Sequence, residues 1–445
     1  MIAPSLWLET CGDDLTPRPG LAGDATADVV IVGAGLTGLW TAHHLLRHDP
    51  TLRVTVLERR IAGWGASGRN GGWCSALFPV RWERVARSHG PDAARRMEQA
   101  LQASIDDIGA WCTRHDVDAG FAKGGTLTLA RGQAQVARLH DEQHAPDGGW
   151  LTADQARERV AATGVDGAVY TEHCAALDPG RLVRGLARFV VGQGATLYEQ
   201  TPATALHPGR VITPAGTVRA EVVIRATEGY TADLREHHRL LAPIWSLVIA
   251  TEPLAAETWD QIGWSARETL NDERHLIIYA QRSADGRVVF GGRGAPYRFG
   301  SRTGGSVGHD QTFAGLEQAL HELLPQTEQA RITHRWGGVI GVPRDFHPSV
   351  TFDRESGLGW AGGYVGDGVT CTALAGRTLA DLVLGRDTDR THLPWVGHRW
   401  RQWEPEPLRW LGVRGMTALM ASADRAEART GRPARRAGLL DKLTG

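Results

Sequence analysis

Apolar residues along this chain first gather into a continuous run. Ala27–Val32 reads ADVVIV without alternation, the pattern of a strand buried on both faces. LWTAHHLLRH (Leu39–His48) then takes up helical spacing, and RVTVLE (Arg53–Glu58) is a second strand, so a β-α-β unit closes in about 30 residues. Ala86–Cys112 is helix-like, Gly124–Ala130 predicts a strand, and GQAQVARLHDEQ from Gly132 predicts a helix. Asp178-Pro179 opens a helix through Val191, because proline at the first helical position gives up an N–H that has no partner there. Strands TLYEQ, VITPAGTV and EVVIRAT follow. Trp245–Gly294 is β-rich, with SLVIATEP, HLIIYAQ, and RVVFGG after the turn Ala284-Asp285-Gly286. Residues 311–323 are helical, ARITHRWGG starts another strand, and Gly368–Gly385 is a last patterned helix. Residues 1–26, broken by Pro17, Pro19, Gly20 and Gly23, read as an irregular arm.

At 445 residues the chain has room for two to three compact units and for a core that needs neither disulfides nor metal. Its 42% apolar and 22% charged residues exclude wholesale disorder. A net charge of −1 gives no field for nucleic acid or an anionic membrane. No uncharged apolar stretch reaches about 20 residues, so no membrane span is expected. MIAPSLWLETCGDD lacks the basic-then-apolar order of a signal peptide. Five cysteines at irregular spacings make neither a disulfide framework nor a C-x-x-C pair. A cytoplasmic protein in a reducing compartment is the expectation. Residues 391–445 differ, with ten basic residues, five acidic ones, and Trp395, Trp400, Trp403 and Trp410. They read as a tail whose tryptophans pack on the body; the alternative is a lid, or a contact through which the chain forms a homo-oligomer.

Gly33-Ala-Gly-Leu-Thr-Gly38 joins the first strand to its helix. Gly33 permits a tight turn, Gly35 lets backbone approach a pyrophosphate, and Gly38 lets helix pack on strand. Leu36 and Thr37 start the helix, whose free N–H groups and dipole favour phosphate. Glu58, 20 residues after Gly38 and followed by Arg59, can accept the ribose hydroxyls of an adenosine. All four elements in register point to bound FAD or NAD.

Gly63–Gly72 (GWGASGRNGG) follows, a run of small residues suited to backbone lying along an extended cofactor. Ala27–Gly72, with ADVVIVGAGLTGLWTA and GWGASGRNGG, resembles the D-amino-acid-oxidase-like FAD-dependent oxidoreductases. Within that family, γ-glutamylputrescine oxidases and aminophosphonate oxidoreductases look most similar. The resemblance runs on through Thr201–Leu206, Glu221–Thr231, Asp285–Gly294 and Gly362–Gly385. It implies a mixed α/β fold, with a Rossmann-type FAD-binding domain and a second, mainly antiparallel β substrate domain roofing the flavin. The first would comprise 27–115, 150–238 and 336–388, and the second 116–149 and 239–335. Residues 1–26 and 389–445 would be an N-terminal arm and a helical C-terminal arm.

The resemblance also implies an activity: oxidation of a C–N bond in a small amine, with non-covalent FAD and with O2 as electron acceptor. It places Ala203 against the adenine, Thr227 beside the pyrophosphate, and Ser67, Arg69, Asn70, Gly71 and Gly72 on the ribityl and flavin side. Gly366, Asp367, Gly368, Val369 and Thr370 would turn a helix N-terminus toward the flavin, where reduction builds negative charge. Some relatives hold a lysine over the flavin. The lysines here are Lys123 and Lys442, and the local match FGGRGAPY offers Arg293 instead, either as a fixed charge or as half of a surface ion pair. Asp367 could hold an ammonium, but its position favours a helix-capping role. Trp73 and Tyr279 are the preferred walls for a cationic amine, ahead of Trp245, Tyr297, Trp336 and Tyr364. Cys74 and Cys371 match no flavin-attachment pattern. His140 and His144 read as a solvated helix face, so no metal is expected. A flavin-dependent monooxygenase and a non-catalytic FAD-binding subunit are the competing functions.

Overall fold

A computed structural model describes residues 4–141, 149–292, 297–304, 310–434 and 436. The ADVVIV run does form a doubly buried strand, Val29–Val32. Val29 and Ile31 enter one core and Val30 and Val32 another, as the two-residue period of a strand requires. It lies within a six-stranded sheet in the order Ser349–Asp353, Leu358–Gly362, Val222–Arg225, Val29–Val32, Val54–Leu57, Thr196–Tyr198. All neighbours are parallel except the edge strand Ser349–Asp353. One face carries the helices Leu36–His48, Pro91–Arg114, Pro179–Gly192 and Gly368–Val383. The first and last of these approach closely at Gly376, where a Cβ would sit 2.5 Å from that of Trp40. The other face carries a four-stranded sheet, Ala25–Thr26, Gly216–Arg219, Arg210–Thr213 and Ala205–His207.

A second sheet has eight strands, ordered Ile332–Pro343, Leu241–Thr251, Val288–Gly292, Ile278–Arg282, Thr269–Asp272, Thr126–Ala130, Gly167–Thr171, Gly149–Thr152. Only Thr126–Ala130 against Thr269–Asp272 is parallel. Gly149–Thr152 and Gly167–Thr171 lie here, although the sequence grouped 150–238 with the nucleotide side, and Ile332–Pro343 crosses the boundary expected at 335. Short strands carry no local mark of the sheet they will join, since their pairing partners are remote in sequence.

The N-terminal arm is irregular over residues 10–24, as expected, but it opens on regular structure that the sequence reading did not anticipate. Ser5 caps a short helix, Leu6–Glu9, by accepting the Leu8 N–H, and Leu6, Trp7 and Leu8 are at most 2% exposed. The C-terminal arm contains a long helix, Leu408–Thr430, with Trp395 and Trp403 buried and Trp400 and Trp410 half-buried. Among the described residues no helix is long and apolar enough to cross a membrane.

Candidate active site

A cleft of about 1190 Å³ opens where the Leu36–His48 and Gly368–Val383 helices begin. Gly33, Gly35, Leu36, Thr37, Glu58, Arg59, Ser67, Asn70, Ala203, Thr227, Gly366, Gly368 and Val369 all line it. Gly33 has φ +109°, and a Cβ there would lie 2.4 Å from the Ala226 carbonyl oxygen. Gly38 stays outside the lining: its Cβ would fall 2.0 Å from the Gly33 oxygen, so its smallness serves helix–strand packing. At Gly35 a Cβ would meet Ser67 Oγ at 2.8 Å, and that oxygen accepts the Leu36 N–H at 2.8 Å. Glu58 accepts the N–H groups of Ala34 (3.0 Å) and Arg60 (2.8 Å), while burial raises its pKa. Arg59 pairs with Asp233 and lies 5.5 Å from the Tyr230 ring centroid. Thr37 and Tyr364 share a 3.1 Å hydroxyl contact. These groups fit an anionic dinucleotide: glycines leave room for close approach, and two helix N-termini face the cleft.

Behind it lies a second chamber of about 900 Å³, which shares Ala66, Asn70, Ile340, Gly366 and Val369 with the cleft. Trp73 and Tyr279 line it together, edge to face with centroids 6.3 Å apart. The Tyr279 ring is seated between two glycines: a Cβ at Gly71 would fall 2.5 Å from Cε2, and one at Gly291 2.2 Å from Cζ. Its hydroxyl meets Ser246 Oγ at 2.8 Å, and Trp73 Nε1 donates to the Ala280 carbonyl at 3.2 Å. Asp367 is the one carboxylate among the described lining residues. It occupies the cap position of the Gly368–Val383 helix, yet its side chain makes no cap hydrogen bond, which corrects the capping expectation. Leu77, Ile277 and Asn271 complete the walls.

Several expected residues serve the frame instead. Arg69 touches the chamber, but the residue is 2% exposed, and its guanidinium donates to the carbonyls of Trp64 (2.8 Å) and Gly337 (3.3 Å) and stacks over Trp64. Gly72 and Thr370 line neither cavity. A Cβ at Gly72 would collide with Gln281 Nε2 at 1.9 Å, and Thr370 Oγ1 meets Cys74 Sγ at 3.3 Å. Cys74 and Cys371 also lie outside both linings, with burial pushing their thiols well up. Trp245, Tyr297 and Trp336 are core, and Tyr364 belongs to the cleft. His140 stacks on Trp150 at 4.1 Å. Arg293 and His144 lie outside the described residues. His275, Asp424 and Glu427 converge as metal ligands would, but their oxygens are committed to Arg138 and to the N–H groups of His275 and Leu276. That contact docks the terminal helix.

Sequence reasoning missed Glu228. It lines the cleft at φ +42°, and its carboxylate accepts the N–H groups of Gly341 (3.2 Å) and Gly363 (2.8 Å). Burial raises its pKa to about 7. No local pattern marks it, because its partners come from 113 and 135 residues away. Tyr230 and Ile340 were missed for the same reason.

A family model described as FAD dependent oxidoreductase matches residues 28–382. Gamma-glutamylputrescine oxidoreductase of Escherichia coli (strain K12) is 30% identical over 397 residues, 84% of this chain and 89% of that one. Glycine oxidase of Geobacillus kaustophilus (strain HTA426) is 26% identical over 381 residues, 81% and 94% of the two chains. The crystal structure of glycine oxidase from Geobacillus kaustophilus matches with a TM-score of 0.70 at 23% identity, covering 84% of this chain and 99% of that one, a likeness of fold. A dinucleotide cleft built on the expected glycines, and a match through most of its length, lead to one conclusion: this chain belongs to the FAD-dependent oxidoreductase family.

Proposed function

We propose that this flavoenzyme oxidises the C–N bond of a small primary or secondary amine and acts as an oxidase. The observation that carries the reading is the chamber with Asp367, Trp73 and Tyr279, which shares a wall with the dinucleotide cleft. The similarity to an amine oxidoreductase over 84% of the chain supports it. Bound FAD would supply a two-electron acceptor for the hydride leaving the carbon next to nitrogen. The chain's own residues supply orientation and electrostatics. The Asp367 carboxylate attracts an ammonium, which gives up a proton to become the neutral amine before hydride can leave, and the Trp73 and Tyr279 rings wall the space beside it. Ser246, Gly71 and Gly291 hold the Tyr279 ring in place, and Leu77 and Ile277 keep the walls apolar. Overall, amine, water and O2 become a carbonyl compound, the released amine or ammonia, and H2O2.

Non-covalent attachment is supported by the position of Cys74 and Cys371 outside both linings, and a cytoplasmic location by five free cysteines. Exposed Phe299, Leu408 and Leu411 near the start of the terminal helix support a homo-oligomer contact, testable by light scattering of a Leu408→Glu, Leu411→Glu variant. An H2O2-release screen over simple amines, N-methyl amines, polyamine derivatives and aminophosphonates tests the function. Flavin reduction stimulated by NADPH, with no response to any amine, would instead identify a monooxygenase.

A further inference from the structure

Five consecutive carbonyls of the flavin-side loop are each held by a donor from elsewhere in the chain. Gly68 accepts from Ser5 Oγ (2.5 Å), Arg69 from Trp336 Nε1 (3.0 Å), and Asn70 from Trp7 Nε1 (2.8 Å). Gly71 accepts from Gln281 Nε2 (2.8 Å) and Gly72 from the Leu177 N–H (2.9 Å). Two of these donors belong to the N-terminal segment, 63 residues before the carbonyls they hold. A trans peptide group is planar, so fixing a carbonyl also fixes the next N–H, which points the opposite way. The Ser5 and Trp7 bonds therefore set the Gly68–Arg69 and Asn70–Gly71 peptide groups. Asn70 lines both cavities and Gly71 lines the chamber.

Packing gives the same segment little freedom. Trp7 meets Trp336 edge to face at 6.3 Å, in one apolar cluster with Leu6, Val248 and Val289 of the eight-stranded sheet. A Cβ at Gly180 would lie 2.3 Å from the Trp7 carbonyl oxygen, and one at Gly68 3.2 Å from Leu8 Cδ2. The Ser5 hydroxyl has two duties, donating to Gly68 and accepting the Leu8 N–H at 3.3 Å. Capping the helix and holding the loop thus depend on one group.

We propose that Ser5 and Trp7 are positioning residues for the flavin. The N-terminal helix Leu6–Glu9 presets the peptide groups between Gly68 and Gly71, so the cofactor meets a wall that is already ordered. This rests on the FAD reading of the cleft and names the part of the chain that rigidifies it.

The test uses the full chain carrying Trp7→Phe, Ser5→Ala or Ser5→Thr. Trp7→Phe keeps an aromatic ring and removes the N–H; Ser5→Thr keeps the hydroxyl. The readouts are the Kd of FAD for the apoprotein, the visible spectrum and midpoint potential of the bound flavin, and the Tm of the apoprotein. A buried carbonyl stripped of its donor should raise the FAD Kd roughly tenfold in Trp7→Phe and Ser5→Ala, with a shifted flavin spectrum. Ser5→Thr should restore both. Kd, spectrum and potential equal to wild type would overturn the proposal, even with a lower Tm, because the helix would then be packing alone. Should Trp7→Phe not fold, the Ser5→Ala and Ser5→Thr pair decides by the same criteria. A wild-type protein that binds no FAD would overturn the FAD reading itself, an outcome distinct from equal binding by all variants.

Discussion

Glu228→Gln removes one titrating group from the seam between the two main sheets. The Glu228 carboxylate accepts the Gly341 N–H from one sheet and the Gly363 N–H from the loop that leads into the Gly368–Val383 helix. Burial penalises its charged form more than these N–H groups favour it, and the pKa rises from 4.5 to about 7. The folded protein therefore keeps this proton to a higher pH than the unfolded chain does. The group's contribution to stability is complete below pH 4.5 and is lost as the pH climbs through about 7. A rise of that size corresponds to about 3 kcal/mol. Glutamine stays neutral throughout. In urea titrations of the apoprotein, the wild type should lose about 3 kcal/mol relative to the variant between pH 4.5 and about pH 8. Parallel losses in the two proteins would refute the reasoning, showing that Glu228 ionises as easily folded as unfolded.

Three other substitutions have defined outcomes. Gly35→Val forces a branched side chain against Ser67 Oγ, where even a Cβ would sit 2.8 Å away, so purified protein should be colourless; normal flavin content would contradict the phosphate-loop assignment. Gly291→Ala puts a methyl 2.2 Å from Tyr279 Cζ and should slow anaerobic flavin reduction by an amine while FAD content is unchanged; an unaltered rate would mean that Tyr279 does not shape the chamber. Asp367→Asn should raise the amine KM roughly tenfold with little change in kcat, as for loss of one charge-assisted contact, and an unchanged KM would remove Asp367 from substrate binding.

The dinucleotide turn is legible in the sequence because its physics is local. A doubly buried strand, three glycines and a helix start lie within a dozen residues, and each glycine meets a backbone or side-chain atom that a Cβ would strike. Trp73 and Tyr279 are preferred together in the sequence as aromatic walls, but their edge-to-face geometry is not legible there, since only pairing of remote strands brings them to 6.3 Å. The FGG motif points to Arg293 in sequence, whereas in the fold its Gly291 makes room for Tyr279. Glu228 leaves no trace, because both partners are set by tertiary structure. The N-terminal helix did have a signal: Ser5 ahead of Leu-Trp-Leu and Glu9 has the order of a capped first turn. Four residues are too few for helical periodicity to register against the prolines that follow, and burial by three strands, one helix and the flavin-side loop, not propensity, holds the segment helical.

The central claim is that the acid and aromatic chamber delivers an amine to FAD bound in the adjoining cleft. Anaerobic mixing of the purified yellow protein with a panel of small amines tests it most directly, read as loss of oxidised-flavin absorbance and its return on admitting air. At least one amine should bleach the flavin, acid precipitation should release the FAD, and reoxidation should yield equimolar H2O2. Protein that carries no flavin, or flavin that no amine in the panel reduces, would contradict the account.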